Sequence, residues 1–430
     1  MDIIQSLSEI FEEIDVSWID SSKHINKSDK YYDLLSLFPN LRKKFEEGRQ
    51  KDEVEFHRTV KHIFRIFKIY FLMKAGEFNH NTLSSISSQT ISRKVKNQFM
   101  QNELVLPLIL MYHDIGRFID KNDHPNQSVL FISNNNLLES FKLEDADKLL
   151  IKKVIQYHLL FAAIYTGEST YFGIYSLLND KEFIKLFSNE RYFRLFIDSL
   201  EIFTYIDILG YSYAKIYDHY IKYFNEINKK LKTILSFWPD KESALEKAIK
   251  FSNELLEWRI AGALRIFQFV DTKSYLTREF YFNKIKESVF NINNVITLNV
   301  DWNSIQTNYL KFSYQIQIKY GLGFLMLLSK KCEKMKFERS PMKRDQIISS
   351  NLILFWIILS KEIGIRSKGD MGCMWNVYFK GLPIWSKWDG KMKKLLNHKT
   401  LESIIKSAYQ NFDQNKKEFN LYLDFKKVFT

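Results

Sequence analysis

An apolar stretch that ends in a charged pair constrains this chain more than any other feature. Residues 104–120 read LVLPLILMYHDIGRFID, so a run suited to a core helix ends in the adjacent His113 and Asp114. Burying an imidazole beside a carboxylate is costly in desolvation free energy unless a third group stabilises both, and a bound cation commonly does so. The stretch therefore predicts a buried helix that presents two ligands to a metal ion.

More ligands of the same kind occur on both sides of this pair. His62 precedes it, His124 and His158 follow it, and Asp207 lies in the apolar segment IFTYIDILGY. Imidazoles and carboxylates from several helices, with one carboxylate shared, are what a two-metal site needs to bind a phosphate and activate a water. We expect four ligands for a first ion, with Asp114 also bridging to a second ion that two further histidines hold. The first set is His62, His113, Asp114 and Asp207, and the second pair is His124 and His158.

Three aspects of this assignment stay open at the sequence level. His57 competes with His62 on the same helix, from which it points about 140° away. His124 and His158 are ligands only if the site holds two divalent ions rather than one. Nitrogen and oxygen donors together suit Mn, Fe, Ni, Co or Zn better than Mg.

Composition and periodicity predict an all-α chain. Only 14 Gly and 6 Pro occur in 430 residues, and apolar residues recur at helical spacing over long segments. We predict helices over 52–73, ended by Gly76, over 144–165, and over 190–230, with Asp207 inside the last one. Residues 364–391, which are rich in Gly and Trp, are predicted to be irregular.

The order of these ligands resembles the HD superfamily of metal-dependent phosphohydrolases. HIFRIFKIY from His62 onward is similar to the helix of its first histidine, HDIGR to its central motif, and DHPNQS to the turn that follows. VIQYHLLF and LEIFTYIDILGY look most like the uridylyl-removing HD domain of bacterial nitrogen-signalling uridylyltransferases. The resemblance covers about residues 50–228 and implies an HD-type helical bundle that hydrolyses phosphoesters.

These observations predict three regions. Residues 1–48 form an N-terminal helical lead-in, residues 49–228 the HD-like domain, and residues 229–430 an accessory helical region with a basic C-terminal part. The final hundred residues hold 20 Lys and Arg against 10 Asp and Glu, which is most of the net charge of +13. This basic part is a candidate surface for nucleic acid or an acidic protein, or an ordinary solvated surface.

Four residues are candidates for substrate binding. Arg117 and Lys121 follow His113 by one and two helical turns, so both are placed to bind a phosphate and stabilise its charge. Thr166 and Glu168, in the loop after the His158 helix, are candidates to line the substrate.

Cysteine content and the N-terminus predict a cytoplasmic protein. Two cysteines are too few for a disulfide framework, and the acidic amphipathic start lacks the features of a signal peptide. The longest apolar run, residues 352–359, is much shorter than a membrane span requires, so no membrane association is expected.

The predicted activity is hydrolysis of a nucleotide, or of a nucleotide-derived phosphoester or phosphodiester, by a metal-activated water. Two alternatives remain. One is a phosphodiesterase or nuclease that acts on oligonucleotides or single-stranded nucleic acid, which the basic C-terminal part favours. The other is a non-catalytic module in which metal staples the fold and the C-terminal part binds a protein.

Overall fold

The computed structural model of the chain describes residues 3–38, 41–98, 102–187, 190–212, 214, 216–254, 279, 283, 285–290, 292, 301–319, 341–369, 372–382 and 398–426. The chain divides into two compact units. The first comprises residues 1–161 and 182–232, and the second comprises residues 162–181 and 233–430. No described helix has both the length and the apolar character needed to cross a membrane.

The described part of the chain is mostly helical. Numbered in chain order, the α-helices are α1 (Ile3–Glu12), α2 (Val16–Ser21), α3 (Asp29–Ser36), α4 (Leu41–Lys51), α5 (Glu53–Ala75), α6 (Ser85–Gln98), α7 (Val105–Tyr112), α8 (His124–Asn134), α9 (Asp145–Tyr157), α10 (Leu160–Thr166), α11 (Tyr175–Asn179), α12 (Lys181–Phe187), α13 (Glu190–Leu209), α14 (Asp218–Leu235), α15 (Lys241–Glu254), α16 (Trp302–Ser304), α17 (Pro341–Arg366) and α18 (His398–Lys406). Short 3-10 turns span Ile25–Lys27, Ile115–Phe118, Lys121–Asp123, Tyr171–Ile174 and Ser313–Gln315, and a π-helical turn spans Ile305–Tyr309.

Helix α5 lies at the centre of the first unit. The Asp52 side chain caps its start by accepting a hydrogen bond from the Glu55 backbone N–H, and Gly76 ends it in the left-handed conformation that glycine tolerates best. The predicted helix over 52–73 with Gly76 as its terminator is therefore confirmed. One face of α5 is buried, and the helix contacts α1, α2, α4, α6, α7 and α13.

Helix α7 is the apolar helix of the central motif, and all eight of its residues are buried. It is shorter than the apolar stretch suggested, because the α-helical hydrogen bonding ends at Tyr112 and His113 is the C-terminal cap. Asp114 leads into the 3-10 turn Ile115–Phe118, so the His-Asp pair lies at a helix terminus rather than inside a helix.

Two predicted helices are interrupted. The prediction over 144–165 gives way to α9, which ends at Tyr157 before His158, followed by the separate α10. The long helix over 190–230 is wrong as a single element, since α13 ends at Leu209 and α14 begins at Asp218. A Cβ at Gly210 would lie 2.3 Å from Ile66 and 2.6 Å from His62, so glycine is required where α13 ends against α5.

The second unit contains a sheet that the all-α prediction did not include. Its strands are β1 (Ile316–Lys319), β2 (Met374–Lys380), β3 (Tyr409–Asp413) and β4 (Glu418–Asp424), arranged in the order β1-β2-β4-β3. β2 pairs in parallel with both β1 and β4, whereas β3 and β4 form an antiparallel hairpin. The expectation of an entirely helical accessory region is therefore wrong, and the predicted irregular stretch 364–391 contains the end of α17 and strand β2.

One face of this sheet forms the core of the second unit. Trp375, Val377, Leu421 and Leu423 are fully buried in a cluster with the apolar residues of α17 and α18. These side chains alternate along β2 and β4, as expected for strands with one face covered. MWNVYFK thus forms a strand because of tertiary packing against segments that are far away in sequence.

The units do not coincide with the predicted regions, because the first unit also includes residues 1–48 and 229–232. The sequence grouped residues 49–228 as one domain, whereas the structure groups residues 162–181 with the second unit. The first unit holds every predicted metal ligand, and the functional boundaries remain a prediction.

Candidate metal centre

Six side chains from five segments of the first unit converge on one location. Five of them are no more than 3% exposed, and Asp207, at 18% side-chain exposure, is the most accessible. The six are His62 on α5, His113 and Asp114 after α7, His124 at the start of α8, His158 after α9, and Asp207 on α13. This is the set that the sequence analysis assigned to metal binding.

The first group surrounds His113. Its Nε2 atom lies 3.6 Å from Asp114 Oδ2 and 3.7 Å from Asp207 Oδ1, and it is a buried nitrogen without a hydrogen-bond partner. His62 Nε2 donates a hydrogen bond to Asp207 Oδ1 over 2.9 Å. Two ligands roughly 2.1 Å from the same ion lie about 3.0 to 3.4 Å apart, so these distances suit one cation. Such an ion would replace the proton between His62 and Asp207.

Asp114 joins the first group to a second. Its Oδ2 atom faces His113, whereas its Oδ1 atom lies 3.3 Å from His124 Nε2. Candidate ligand atoms thus fall into two sets, His62 with His113 and Asp114, and Asp114 with His124 and His158. Because the one carboxylate directs an oxygen to each set, the arrangement suits a bridging ligand between two ions.

The second group places two imidazole nitrogens face to face. The Nε2 atoms of His124 and His158 lie 3.3 Å apart. Each ring donates its Nδ1–H to the backbone carbonyl three residues earlier, His124 to Lys121 and His158 to Ile155. In the neutral rings both Nε2 atoms therefore carry lone pairs, and these lone pairs repel each other unless a cation lies between them.

The same hydrogen bond orients His113, whose Nδ1–H donates to the Leu110 carbonyl over 2.9 Å. Carbonyls in the last turn of a helix lack an intrahelical donor, so the rings after α7 and α9 satisfy groups that the helices leave open. These bonds fix the tautomer that leaves Nε2 available for a metal.

Burial and neighbouring charges set the ionisation of the cluster. Burial lowers the pKa of His113 to about 4 and that of His124 to about 3, against the opposing attraction of nearby carboxylates. Burial alone would raise the pKa of Asp114, but Arg117 and the surrounding imidazoles outweigh it and hold that pKa far below its usual range. At neutral pH these three groups are therefore in the forms that bind metal, neutral imidazole and ionised carboxylate.

Aromatic rings pack around the ligands. Phe203 lies edge-on to His113 and His158, with ring centroids 4.9 and 5.3 Å away. Tyr211 stacks on His62 at 4.2 Å, next to the close approach at Gly210. The rings hold the imidazoles in place and keep the surroundings apolar, which strengthens electrostatic attraction to a cation.

Arg117 and Lys121, the predicted phosphate-binding residues, are held by carboxylates of α5 and its cap. Arg117 Nε donates to Glu55 over 2.7 Å, and its Nη1 atom lies 3.6 Å from Asp114. Lys121 Nζ lies 2.7 Å from Asp52 and 3.2 Å from Glu55. All four side chains line a cavity of about 320 Å³ together with Lys51 and residues 118–122. Arg117 thus contacts Asp114 and lines a space large enough for a small ligand.

The remaining candidates are not among the six clustered side chains. His57 is 27% exposed and faces Glu53 at 3.6 Å, so His62 is the histidine of α5 that belongs to the cluster. Thr166 and Glu168 belong to the second unit, where the Glu168 carbonyl accepts a hydrogen bond from the Ile318 backbone N–H. Their predicted contact with substrate stays a prediction.

Sequence reasoning did not identify Glu55 or Ser128. Glu55 precedes His62 by two helical turns and so lies on the same face of α5, a spacing that is visible in the sequence. Ser128 accepts from the Gly116 N–H at 2.8 Å and donates to the His113 carbonyl at 2.7 Å, which fixes the turn carrying both central ligands. No sequence pattern distinguishes this buried serine from a surface one.

The six candidate ligands thus form two adjoining groups that share Asp114. In the first group, His113 Nε2 is buried without a hydrogen-bond partner; in the second, the Nε2 atoms of His124 and His158 face each other. Comparisons of the chain with protein-family models, curated proteins and solved structures find no match. Buried His and Asp side chains in this arrangement can hold divalent metal.

Proposed function

We propose that this protein is a metal-dependent phosphohydrolase that acts on a nucleotide or a nucleotide-derived phosphoester. The observation that carries the proposal is the two-sided contact of Asp114, which faces His113 with one oxygen and His124 with the other. A single structural ion needs only one group of ligands, whereas a shared carboxylate between two groups is typical of sites that hydrolyse phosphoesters.

The donor set fits transition metals. His62, His113, Asp114 and Asp207 would hold one ion, and Asp114, His124 and His158 the other; imidazole-rich sites suit Mn, Fe, Ni, Co or Zn better than Mg. The bound ions would supply an activated water and stabilise negative charge on the phosphoryl oxygens. The Nε2 atoms of His113 and His124 belong to neutral, oriented rings, which minimises the reorganisation needed when a metal binds.

Arg117 supports phosphate as the substrate group. One of its five N–H donors is used by Glu55, which leaves other donors of the planar guanidinium for a phosphoryl oxygen. Glu55 and Asp114 hold the pKa of Arg117 above its usual value although burial opposes this, so the side chain is always cationic. Arg117 would orient the phosphoryl group and stabilise the charge that develops on it.

Lys121 lines the same cavity as Arg117. Lys121 is about half exposed, and it lines the cavity with Arg117 and the carboxylates of Asp52 and Glu55. The cavity carries both signs of charge, so it offers donors to a phosphate and acceptors to sugar hydroxyls or base amino groups. This mixture favours a nucleotide over inorganic polyphosphate.

The test compares metal content with hydrolysis. Wild-type protein purified with added Mn, Co, Ni, Zn or Mg is analysed by elemental mass spectrometry and incubated with mononucleotides, cyclic nucleotides, nucleotidyl esters and short oligonucleotides. We expect about two ions per chain in the wild type and about one in His158→Gln. Asp114→Ala should lose both ions, because Asp114 belongs to both groups of ligands. Its rate should fall roughly a thousand-fold or more, where each tenfold in rate corresponds to about 1.4 kcal/mol of transition-state stabilisation.

Asp145→Ala is the matched control, because Asp145 is a fully exposed aspartate of the same unit. It should keep the metal and the rate. A metal-supplemented wild type without stoichiometric transition metal would contradict the site. Bound metal with no turnover on any phosphoester would contradict the activity and favour the non-catalytic module.

A further inference from the structure

The second face of the sheet differs from the face that forms the core. Cross-strand pairing places Tyr378 of β2 beside Tyr422 of β4, and Tyr422 beside Tyr409 of β3. The ring centroids are 5.1 and 5.9 Å apart, and the ring planes are within 26° of parallel. These three residues, the tyrosine row, form a continuous aromatic stack across three strands. None of them belongs to the apolar core cluster beneath the sheet.

The tyrosine row ends at an accessible ring. Tyr409 is 65% exposed on β3, which is the outer strand in the described order β1-β2-β4-β3. Tyr422 and Tyr378, the other two members of the row, are half-buried. A further planar ring could therefore continue the stack on the outer side of Tyr409.

Amide side chains lie beside the tyrosine row. Asn411 is exposed on the same face of β3 as Tyr409, two residues along the strand, and it pairs with Asn420 of β4. Asn420 in turn accepts a hydrogen bond from Asn376 over 3.3 Å. Side-chain amides offer both donors and acceptors, which is what the hydrogen-bonding edge of a nucleobase requires.

Lysines lie on this face and in the adjoining hairpin turn. Lys380 Nζ lies 4.2 Å from the centre of the Tyr422 ring, and Lys416 and Lys417 are exposed in the hairpin turn after β3. The strand from Tyr409 to Asp413 separates the tyrosine row from this turn by about 14 Å, so rings and lysines can contact successive nucleotides of one strand.

The carboxylates of this face are already engaged. Glu418 is buried and accepts from Asn376, and Asp413 and Asp424 accept backbone N–H groups of the turns that follow them. The final hundred residues carry a net charge of +10. This excess of positive charge in the sequence favours a polyanion as the ligand.

We propose that this face of the sheet binds single-stranded nucleic acid, with a base stacked on Tyr409 and the backbone phosphates near Lys380 and the hairpin lysines. An exposed aromatic ring, neighbouring amides and lysines at one edge of a sheet are a combination by which proteins hold unpaired bases. The inference concerns the second unit alone and does not depend on metal chemistry in the first.

The experiment measures binding to the full-length protein by fluorescence anisotropy. The probes are a labelled 12-nucleotide oligothymidine, an oligouridine of the same length, and a DNA hairpin duplex. EDTA is present throughout, so that hydrolysis of the probe by a metal centre cannot affect the result. The variants are Tyr409→Ala and Lys380→Ala, and circular dichroism confirms that each is folded.

Phe412→Ala is the matched control. Phe412 is 45% exposed on the same strand, but it points to the opposite face and contacts Phe419. We expect the single strands to bind more tightly than the duplex and Tyr409→Ala to weaken this binding about ten-fold, as the loss of one stacked base would. Lys380→Ala should reduce the slope of log affinity against log salt by about 0.7. Phe412→Ala should bind within about two-fold of wild type.

Three results would overturn the proposal. The first is no binding of any single strand at low salt. The second is an affinity that Tyr409→Ala leaves unchanged or that Phe412→Ala reduces equally. The third is duplex binding as tight as single-strand binding, which would indicate general charge attraction. A change of oligomeric state in Tyr409→Ala with unchanged oligonucleotide binding would instead identify this edge as a contact between copies of the chain.

Discussion

Glu55 is a nearly buried carboxylate that contacts Arg117 and Lys121 beside the candidate metal ligands. Burial would raise its pKa, but the hydrogen bond and charge of Arg117, together with Lys121, lower it below the usual value. Arg117 in turn is only 18% exposed at its side chain. A buried guanidinium without its carboxylate is costly, so Glu55 holds Arg117 in a position that Asp114 alone would not fix.

We predict that Glu55→Gln lowers the free energy of unfolding by about 1 to 3 kcal/mol, because the amide keeps one hydrogen bond to Arg117 but removes the charge. Urea denaturation measures the change. Glu53→Gln is the matched control on the same helix, where Glu53 is 65% exposed, and it should be neutral. Equal effects of the two substitutions would contradict the role given to the Glu55–Arg117 pair.

At the scale of elements, the turn between α7 and α8 positions the candidate ligands His113, Asp114 and His124. Gly116 approaches α8 so closely that a Cβ there would lie 2.1 Å from the His124 carbonyl. Ser128 joins the two sides by accepting from Gly116 and donating to His113. The turn thereby fixes His113 and Asp114 relative to His124 through backbone contacts.

Ser128→Ala should cost about 1 to 3 kcal/mol of stability, because it leaves a buried N–H and a buried carbonyl without partners. It should also weaken metal binding by roughly 10- to 100-fold, as removal of supporting hydrogen bonds does in other metal sites. Denaturation and metal titration test both effects. Ser133→Ala, at an exposed position of the same helix, should change neither; a Ser128→Ala protein with wild-type metal affinity would contradict the prediction.

Helix periodicity predicted where helices exist but not all of their ends. α5 was predictable because Asp52, the apolar stripe and Gly76 are local signals. The breaks after Tyr157 and Leu209 were missed because apolar residues continue through them, and packing of Gly210 against α5 decides the second one. Strand β2 was missed because its alternation is short and its partners β1 and β4 are far away in sequence.

At the scale of the whole molecule, the buried His and Asp cluster makes the stability of the metal-free protein depend on pH. The pKa values of His113 and His124, about 4 and about 3 in the fold, lie below the unfolded value near 6.5. The unfolded chain therefore binds more protons in this window, and stability is lost as the pH falls from about 6.5 toward these values. Asp114 and Asp207, whose pKa values are also lowered, add a loss of the same sign at more acidic pH.

We predict that the protein kept in chelator loses about 2 kcal/mol of unfolding free energy per histidine between pH 7 and pH 5. Denaturation curves at several pH values measure this loss. His113→Gln should reduce the slope of unfolding free energy against pH, because it removes one of the two titrating histidines. A wild-type stability that is constant over this range, or that rises as the pH falls, would contradict the prediction.

The sequence by itself determined the mostly helical character of the chain and the identity of six candidate ligands, because apolar periodicity and out-of-place polar residues are local properties of the chain. Only the tertiary structure decided that those candidate ligands meet in two groups sharing Asp114, that Glu55 and Asp52 pair with Arg117 and Lys121, and that the basic C-terminal region contains a sheet. Each of these depends on contacts between segments far apart in sequence, and local preferences cannot specify such contacts before the chain is packed.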